Sequence, residues 1–264
     1  MNIKVSHESP LYLLDASRFY NDYDYALVHL FDRYPEYFQF FRSSVLDNRE
    51  VLLDNSIFEL GKAFDPTQYI KYIDQLQPTY YIVPDVLEEY KETVESFKRF
   101  TDLYKSPYLK IGAIQGKTFH ELVECYKFMC DNADYIAISF DYSLYEYIGT
   151  GTTKLHRMMT GRQNLIKMLI DNYIWDWTKP VHLLGCSLPQ EFKFYCDKNI
   201  YNIRSVDTSN PVMAGIKHMK YAGNLGLQTK PVGLLAEHLE HVPDADALQL
   251  ITYNINMFKQ IVSK

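Results

Sequence analysis

The chain has 264 residues, 47% of them hydrophobic and 23% charged, so it can bury the core of one large domain or two small ones. Its net charge of −6 excludes a global basic field, so contact with nucleic acid would require a local cluster of positive side chains. No run approaches the roughly 20 apolar residues that span a bilayer, no secretory signal opens the sequence, and the four cysteines lack zinc-site spacing.

Strands and helices alternate along the sequence. Apolar, β-branched or aromatic runs that end in turn-forming residues predict eight strands, at 11–14, 25–30, 50–56, 79–85, 108–116, 134–140, 181–186 and 203–207. Amphipathic segments predict helices at 34–42, 65–77, 88–104, 118–130, 163–173, from 189, and at 245–262. The Gly- and Thr-rich segment 141–162 predicts a long active-site loop.

This alternation of strands and helices predicts a parallel sheet. Eight such units in about 250 residues predict a closed (β/α)8 TIM barrel that forms a single domain over residues 1–264. A doubly wound open sheet is the competing architecture, but no Gly-x-Gly-x-x-Gly motif follows the first predicted strand. We therefore expect functional residues at the carboxyl ends of the barrel strands.

Acidic and amide side chains recur at these strand ends. The last predicted strand stops abruptly at Asp207, which turn-forming residues and Pro211 follow. A carboxylate in this position can stay ionised and act as a nucleophile, although capping of the next helix is the simpler role. Asp54, Asp85 and Gln115 end three earlier strands, so polar side chains recur with Asp207 at one edge of the predicted sheet.

Four segments, in the same order along one barrel, resemble motifs of the tRNA-guanine transglycosylase superfamily, the queuine and archaeosine tRNA-ribosyltransferases. LLDNSIFE at 52–59 is similar to the family's Asp-Ser-Gly-Gly-(Phe/Tyr)-Gln, and IGAIQG at 111–116 to its Gly-Ile-Val-Gln-Gly. VHLLG at 181–185 resembles Tyr-Leu-Met-Gly, and VDTSNP at 206–211 resembles the nucleophile motif, in which proline follows aspartate by four positions.

The resemblance implies a base-exchange reaction that needs no cofactor and no metal. Asp207 would attack C1′ of the target nucleoside, expel guanine and form a covalent glycosyl-enzyme. Asp54 would be the acid/base carboxylate for the departing guanine and for an incoming 7-deazaguanine such as preQ0. A nucleophilic carboxylate with a second carboxylate is the usual equipment for cleaving a glycosidic bond with retention.

The resemblance also assigns the residues that bind the base. Asp85 would accept hydrogen bonds from N1–H and the 2-amino group, and Gln115 with the Gly116 amide would recognise O6. The ring would be sandwiched by apolar side chains, and backbone near two strand ends would complete the site: Phe58, Leu184, Gly185 and Ser139. Replacing Asp85 is then expected to abolish guanine exchange without lowering thermal stability.

Three departures from the family bear on the substrate. Ser139 and Phe140 stand where the family has Gly-Gly, and Met213 stands where it has arginine. The family's zinc subdomain is missing, and the chain is about a hundred residues shorter than the bacterial tRNA enzymes. It is therefore most similar to the compact, zinc-less branch that inserts 7-deazaguanines into phage and bacterial DNA, and DNA is the favoured polynucleotide.

The phosphate contacts would come from basic residues after two strand ends: Lys154, Arg157, Arg162, Lys217 and Lys220. Three other functions stay open from the sequence: action on tRNA, a non-catalytic nucleic-acid-binding subunit, and an unrelated TIM-barrel glycosidase. We expect a cytoplasmic protein, or one of the host cytoplasm if a phage encodes it, with no membrane partner. Monomer and homodimer are not distinguished.

Overall fold

A computed structural model describes residues 3–263, apart from the side chain of Asn224. The strands are β1 Lys4–His7, β2 Asp24–Leu27, β3 Val51–Asp54, β4 Tyr80–Ile82, β5 Leu109–Ala113, β6 Tyr135–Ser139, β7 Val181–Leu184 and β8 Ile203–Thr208. The helices are α1 Leu14–Ser17, α2 Pro35–Leu46, α3 Ile57–Leu60, α4 Pro66–Leu76, α5 Tyr90–Leu103, α6 Phe119–Asn132, α7 Tyr145–Ile148, α8 Lys154–Asp171, α9 Glu191–Asp197, α10 Asn210–Ile216 and α11 Ala245–Val262. Within the described part, no helix combines the length and apolar character that crossing a membrane requires.

The strands form one eight-stranded sheet in the order β1-β8-β7-β6-β5-β4-β3-β2. The pairs β1–β8, β7–β8 and β2 through β6 are parallel, and helices separate most of the strands along the chain. This is the topology of a (β/α)8 TIM barrel, so the predicted fold class is confirmed. The chain divides into two compact units: unit 1 is Met1–Asp22, Ser139–Trp175 and Val181–Lys264, and unit 2 is Tyr23–Ile138 and Asp176–Pro180.

Unit 2 is organised around the strand ends of β3 and β4. The fully buried Tyr69 on α4 places its hydroxyl 2.9 Å from the Leu53 carbonyl oxygen and 3.0 Å from that of Ile82. Pro66 begins α4, where its missing N–H costs nothing, and the Asp65 side chain accepts a hydrogen bond from the backbone of the first turn. A well-anchored helix thus fixes the two strands that end near Asp54 and Asp85.

Unit 1 has its apolar core between α10 and α11. The buried cluster consists of Leu13, Val212, Met213, Ile216, Leu235, Ile251 and Ile255. A Cβ at Gly215 would lie 2.4 Å from Ile251 Cγ1, so glycine allows α10 to approach α11 closely. Because α10 begins three residues after Asp207, this packing fixes the backbone that follows the predicted nucleophile.

The first strand differs from the sequence prediction. Residues 11–13 form a 3-10 helix that leads into α1, and the strand paired with β8 is Lys4–His7. Its polar residues Lys4, Ser6 and His7 hide it from a search for apolar runs. Two of its backbone N–H groups, those of Val5 and His7, donate to the side chains that precede β2, Asp22 and Asn21.

The predicted loop at 141–162 also differs from the structure, because α7 and the first turns of α8 lie within it. Thr153 caps α8 by accepting a hydrogen bond from His156 N at 3.2 Å. A Cβ at Gly161 would lie 2.3 Å from the Tyr145 Cβ. This glycine therefore serves the close approach of α7 to α8 and does not mark a loop.

Candidate functional site

Asp207 lies near the carboxyl end of β8 in unit 1, and its residue is only 5% exposed. Its Oδ1 accepts hydrogen bonds from His182 Nε2 at 3.0 Å and from the Gly185 backbone N–H at 3.2 Å. The same N–H lies 3.3 Å from Oδ2. A carboxylate oxygen can accept more than one hydrogen bond, so Oδ2 keeps the capacity to act on a substrate.

His182 is a buried partner of Asp207 that the sequence does not predict. Its ring is fully buried on β7, and its Nδ1 lies 2.9 Å from Ser205 Oγ. A carboxylate only accepts hydrogen bonds, so Nε2 is the donor to Asp207, while Nδ1 contacts the Ser205 hydroxyl. The only sequence signal was a polar residue inside an apolar strand that flanks the Asp207 strand.

The Ser205–His182–Asp207 chain is not the triad of serine hydrolases. In that triad, Nε2 faces the serine and Nδ1 faces the aspartate, whereas the two nitrogens have the opposite partners here. Ser205 precedes Asp207 by two residues on the same face of β8, so it lies farther from the carboxyl end, where TIM-barrel sites are located. Asp207 therefore stays the predicted reactive group, and Ser205 contacts the imidazole from the inner side.

A buried ion pair fixes the turn that presents the Gly185 N–H. Arg162 on α8 is fully buried, and its Nε and Nη2 bind the two carboxylate oxygens of Glu191 at 2.6 and 3.0 Å. Its Nη1 and Nη2 also donate to the carbonyls of Leu184 and Gly185, at 2.8 and 3.0 Å. The Arg162 side chain is fully buried, and its three guanidinium nitrogens all donate to groups of unit 1. The prediction that Arg162 contacts phosphate is therefore wrong.

The backbone at Gly185 requires glycine for two reasons. Its φ is +62°, in the left-handed region, and a Cβ there would lie 2.5 Å from Phe140 Cδ1.

Ser139, the last residue of β6, binds two tyrosines: its N–H donates to the Tyr142 hydroxyl at 3.1 Å, and its carbonyl accepts from the Tyr145 hydroxyl at 2.9 Å. In the described structure the Ser139 backbone is thus used to hold α7.

In unit 2, Asp54 ends β3 and is 8% exposed. Its Oδ2 accepts a hydrogen bond from the Tyr25 hydroxyl, and its Oδ1 accepts one from the Ser56 backbone N–H. Ser56 has a φ of +58°, a left-handed backbone conformation that residues other than glycine and asparagine seldom adopt. The tight turn therefore curls the backbone around the carboxylate and fixes its orientation.

Asp85 is held between two amides. Its Oδ1 accepts from Asn55 Nδ2 at 2.8 Å and its Oδ2 from Gln115 Nε2 at 2.6 Å, and all three residues are buried. Burial raises the pKa of Asp85, and the two amide hydrogen bonds oppose that rise. Gln115 is itself oriented, because its Oε1 accepts from Glu88 N at 2.9 Å. Asp85 and Gln115 thus form one polar surface with a carboxylate, an N–H and a carbonyl oxygen.

This network changes the expected behaviour of Asp85→Ala. The substitution leaves one N–H of each of the Asn55 and Gln115 amides without its acceptor in a buried place, which costs about 1–3 kcal/mol for each. We therefore expect a lower free energy of unfolding in urea as well as weaker binding of free guanine by calorimetry. Asp131→Ala, an exposed aspartate of the same unit, is the matched control. Native stability together with native guanine binding in Asp85→Ala would contradict both roles.

The remaining predicted base contacts have mixed environments. Phe58, on α3 of unit 2, is 43% exposed, and Leu184 of unit 1 is half-buried. A Cβ at Gly116 would lie 2.8 Å from Glu121 Cβ and 2.9 Å from the Leu122 backbone nitrogen. The absence of a side chain at Gly116 therefore allows α6 to pack closely. The contact of its amide with a base stays a prediction.

Four of the basic residues predicted to contact phosphate remain at or near the surface of unit 1. Lys154 Nζ pairs with Glu146 at 2.9 Å, and Lys220 Nζ lies 4.6 Å from the centroid of the Tyr253 ring. Lys217 is exposed and Arg157 is half-buried. Ion pairing reduces the positive charge that Lys154 offers to an anion, so its contribution to phosphate binding stays a prediction.

No group of three or more His, Cys, Asp and Glu side chains within residues 3–263 is arranged to hold a metal ion. The four cysteines are free thiols. The sequence matches no protein-family model and no curated protein. The functional assignment therefore depends on the chemistry of the side chains described above and on the motifs in the sequence.

Proposed function

We propose that the protein is a base-exchange transglycosylase, which replaces guanine in DNA with a 7-deazaguanine through a covalent bond between Asp207 and the sugar. The observation that carries the proposal is the setting of Asp207. It is a buried carboxylate near a strand's carboxyl end, with Oδ1 engaged by His182 and Gly185. These fixed donors orient the carboxylate for attack on an anomeric carbon.

The reaction has two steps that balance in bonds and protons. In the first, an Asp207 oxygen bonds to C1′, the C1′–N9 bond breaks, and its electron pair leaves with guanine, which takes a proton from the carboxylic acid of Asp54. In the second, N9 of the incoming 7-deazaguanine attacks C1′, the ester bond to Asp207 breaks, and Asp54 takes the N9 proton.

Two backbone positions support the resemblance to the transglycosylase motifs. Ser56 stands at the first glycine of the family's strand-end motif, and its φ of +58° is a conformation that glycine adopts freely. Gly185 matches the glycine of the other motif, and both its φ and its contact with Phe140 require glycine. The backbone thus has the form that the motif residues would need at both places.

The buried polar surface of unit 2 suits the edge of guanine. Asp85 offers carboxylate oxygens, the acceptors that the N1–H and 2-amino donors of guanine need. Gln115 Nε2 carries a second hydrogen besides the one it donates to Asp85, and guanine O6 is an acceptor for it. A 7-deazaguanine keeps this edge unchanged, so one surface serves the leaving base and the incoming base.

DNA is proposed as the polynucleotide because the sequence lacks the zinc subdomain of the tRNA enzymes. Mass spectrometry of nucleosides tests the function and the substrate together. In cells that express the protein and supply 7-deazaguanines, we expect the modified nucleoside in DNA and not in tRNA. Modification of tRNA alone would reassign the substrate, and no modification of either would contradict the proposal.

His182→Ala is expected to lower the rate of exchange about 100-fold, the cost of a modest misplacement of a reacting group. The loss should fall on kcat, with KM for DNA nearly unchanged, because His182 positions Asp207 and is too buried to touch DNA. Initial-rate assays over a range of oligonucleotide concentrations measure both parameters. His182→Gln keeps an N–H donor and should recover part of the rate.

His120→Ala, an exposed histidine in unit 2, is the matched control for His182→Ala and should exchange bases at the native rate. A native kcat in His182→Ala, with a native melting curve, would show that the imidazole does not orient Asp207.

A further inference from the structure

Lys230 is a cation that neither the sequence motifs nor the proposed reaction uses. It lies in the connection between α10 and α11 of unit 1, and its side chain is half-buried. Its Nζ stands 4.2 Å from the centroid of the Phe140 ring. Burial lowers the pKa of Lys230, with opposing contributions from neighbouring Cys186, Asp141 and Glu8.

The charge of Lys230 has no acidic partner at close range. Among the described residues, no carboxylate oxygen lies within 4.0 Å of its Nζ. A cation over an aromatic ring recovers only about 0.5–2 kcal/mol, whereas removal of an ammonium group from water costs several. A half-buried lysine in this state is suited to an anion that arrives from outside the protein.

Contacts connect Lys230 to Asp207 within unit 1. Its Nζ stacks on Phe140, and Phe140 covers Gly185 so closely that a Cβ there would lie 2.5 Å from the ring. Gly185 N–H in turn donates to both oxygens of Asp207. Burial raises the pKa of the Cys186 thiol, and the nearby charge of Lys230 opposes that rise while that of Asp207 adds to it. Three contacts thus connect Lys230 to the proposed nucleophile.

Position 213, where the resembled family has an arginine that could bind an anion, carries an apolar side chain in this protein. Met213, which replaces the family's arginine, is 2% exposed and packs in the cluster between α10 and α11. It is therefore unable to contact a phosphate. Arg162, the other cation beside Gly185, forms a buried ion pair with Glu191. Of these three positions, Lys230 alone has a charge that a substrate can use.

We propose that Lys230 binds the phosphodiester that flanks the target nucleoside and so holds its C1′ against Asp207. This inference rests on the proposed function, because the flanking phosphate is the anion nearest to C1′ in a DNA strand. It assigns a phosphate contact to the connection between α10 and α11, outside every motif of the resemblance. The Phe140 ring, where the family has glycine, keeps the ammonium group in place.

Binding titrations with a 12-nucleotide single-stranded DNA that has one guanine test this contact. Lys230→Ala should weaken binding about tenfold at low salt, and it should flatten the dependence of log K on log salt by about 0.7. A neutral methylphosphonate at the flanking position should cost the native protein the same factor and cost Lys230→Ala nothing further. Lys230→Arg should bind like the native protein.

Lys198→Ala, an exposed lysine of the same unit, should retain native affinity and slope. The proposal is overturned if Lys230→Ala binds like the native protein, if the methylphosphonate penalty persists in that variant, or if the native protein does not bind the strand. Melting curves of the variants exclude a folding defect. Lys230-dependent binding without base exchange would instead contradict the proposed function, and exchange that Lys230→Ala leaves unchanged would contradict only the lysine contact.

Discussion

Asp207→Asn is expected to lower base exchange by about four orders of magnitude or more, the scale seen when a covalent nucleophile is removed. The amide cannot form the glycosyl ester, although its volume barely differs from that of the carboxylate. Its Oδ1 can still accept from His182 Nε2, so the fold should persist. Exchange of radiolabelled guanine into an oligonucleotide measures the loss, and a thermal melt measures the stability.

Asp197→Asn, at the end of α9 in the same unit, should exchange bases like the native protein. Residual exchange by Asp207→Asn within tenfold of the native rate would exclude Asp207 as the nucleophile. Lost exchange with a strongly lowered melting temperature would instead indicate a structural role.

Arg162→Met is expected to lower the free energy of unfolding by about 3–5 kcal/mol, because it leaves the fully buried Glu191 carboxylate without its cation. For a chain of this size the melting temperature should fall by roughly 10 °C. The carbonyls of Leu184 and Gly185 lose their donors as well, so the turn that presents the Gly185 N–H to Asp207 should loosen. Urea unfolding measures the stability, and the exchange assay measures the effect on the site.

Two further variants compare the stability that the buried Arg162–Glu191 pair provides with that of an exposed ion pair. Arg162→Met/Glu191→Gln removes both charges, so it should be more stable than Arg162→Met alone. Lys167→Ala, which breaks an exposed pair with Asp171 on the same helix, should cost less than about 1 kcal/mol. A loss below 1 kcal/mol for Arg162→Met would mean that this ion pair does not hold the turn.

Local patterns were sufficient to predict most of the fold. Seven of the eight predicted strands overlap observed ones, because buried parallel strands are continuous apolar runs that stop at turn-forming residues. The first strand was missed because Lys4, Ser6 and His7 interrupt any such run. The start of α8 was missed because Gly161 suggested a loop, and only the contact with Tyr145 explains that glycine.

The candidate site divides in the same way. The positions of Asp54, Asp85, Gln115 and Asp207 are predictable, because each stands where an apolar strand run ends, and their chemical roles stay predictions. The contacts of His182 and Lys230 are not predictable in this way, because His182 contacts Asp207 from β7 to β8 and Lys230 contacts Phe140 from a connection far along the chain. Arg162 was misassigned, since its charge is visible in the sequence but its burial against Glu191 is a tertiary property.

Trapping the covalent intermediate shows whether Asp207 is the nucleophile. Native protein is incubated with a guanine-containing DNA oligonucleotide, quenched in denaturant during turnover, and examined by intact-mass and peptide mass spectrometry. The account predicts one oligonucleotide-sized mass increase, sensitive to alkali as an ester is, on the peptide that contains Asp207. Attachment at another residue, or base exchange without any covalent intermediate, would contradict it.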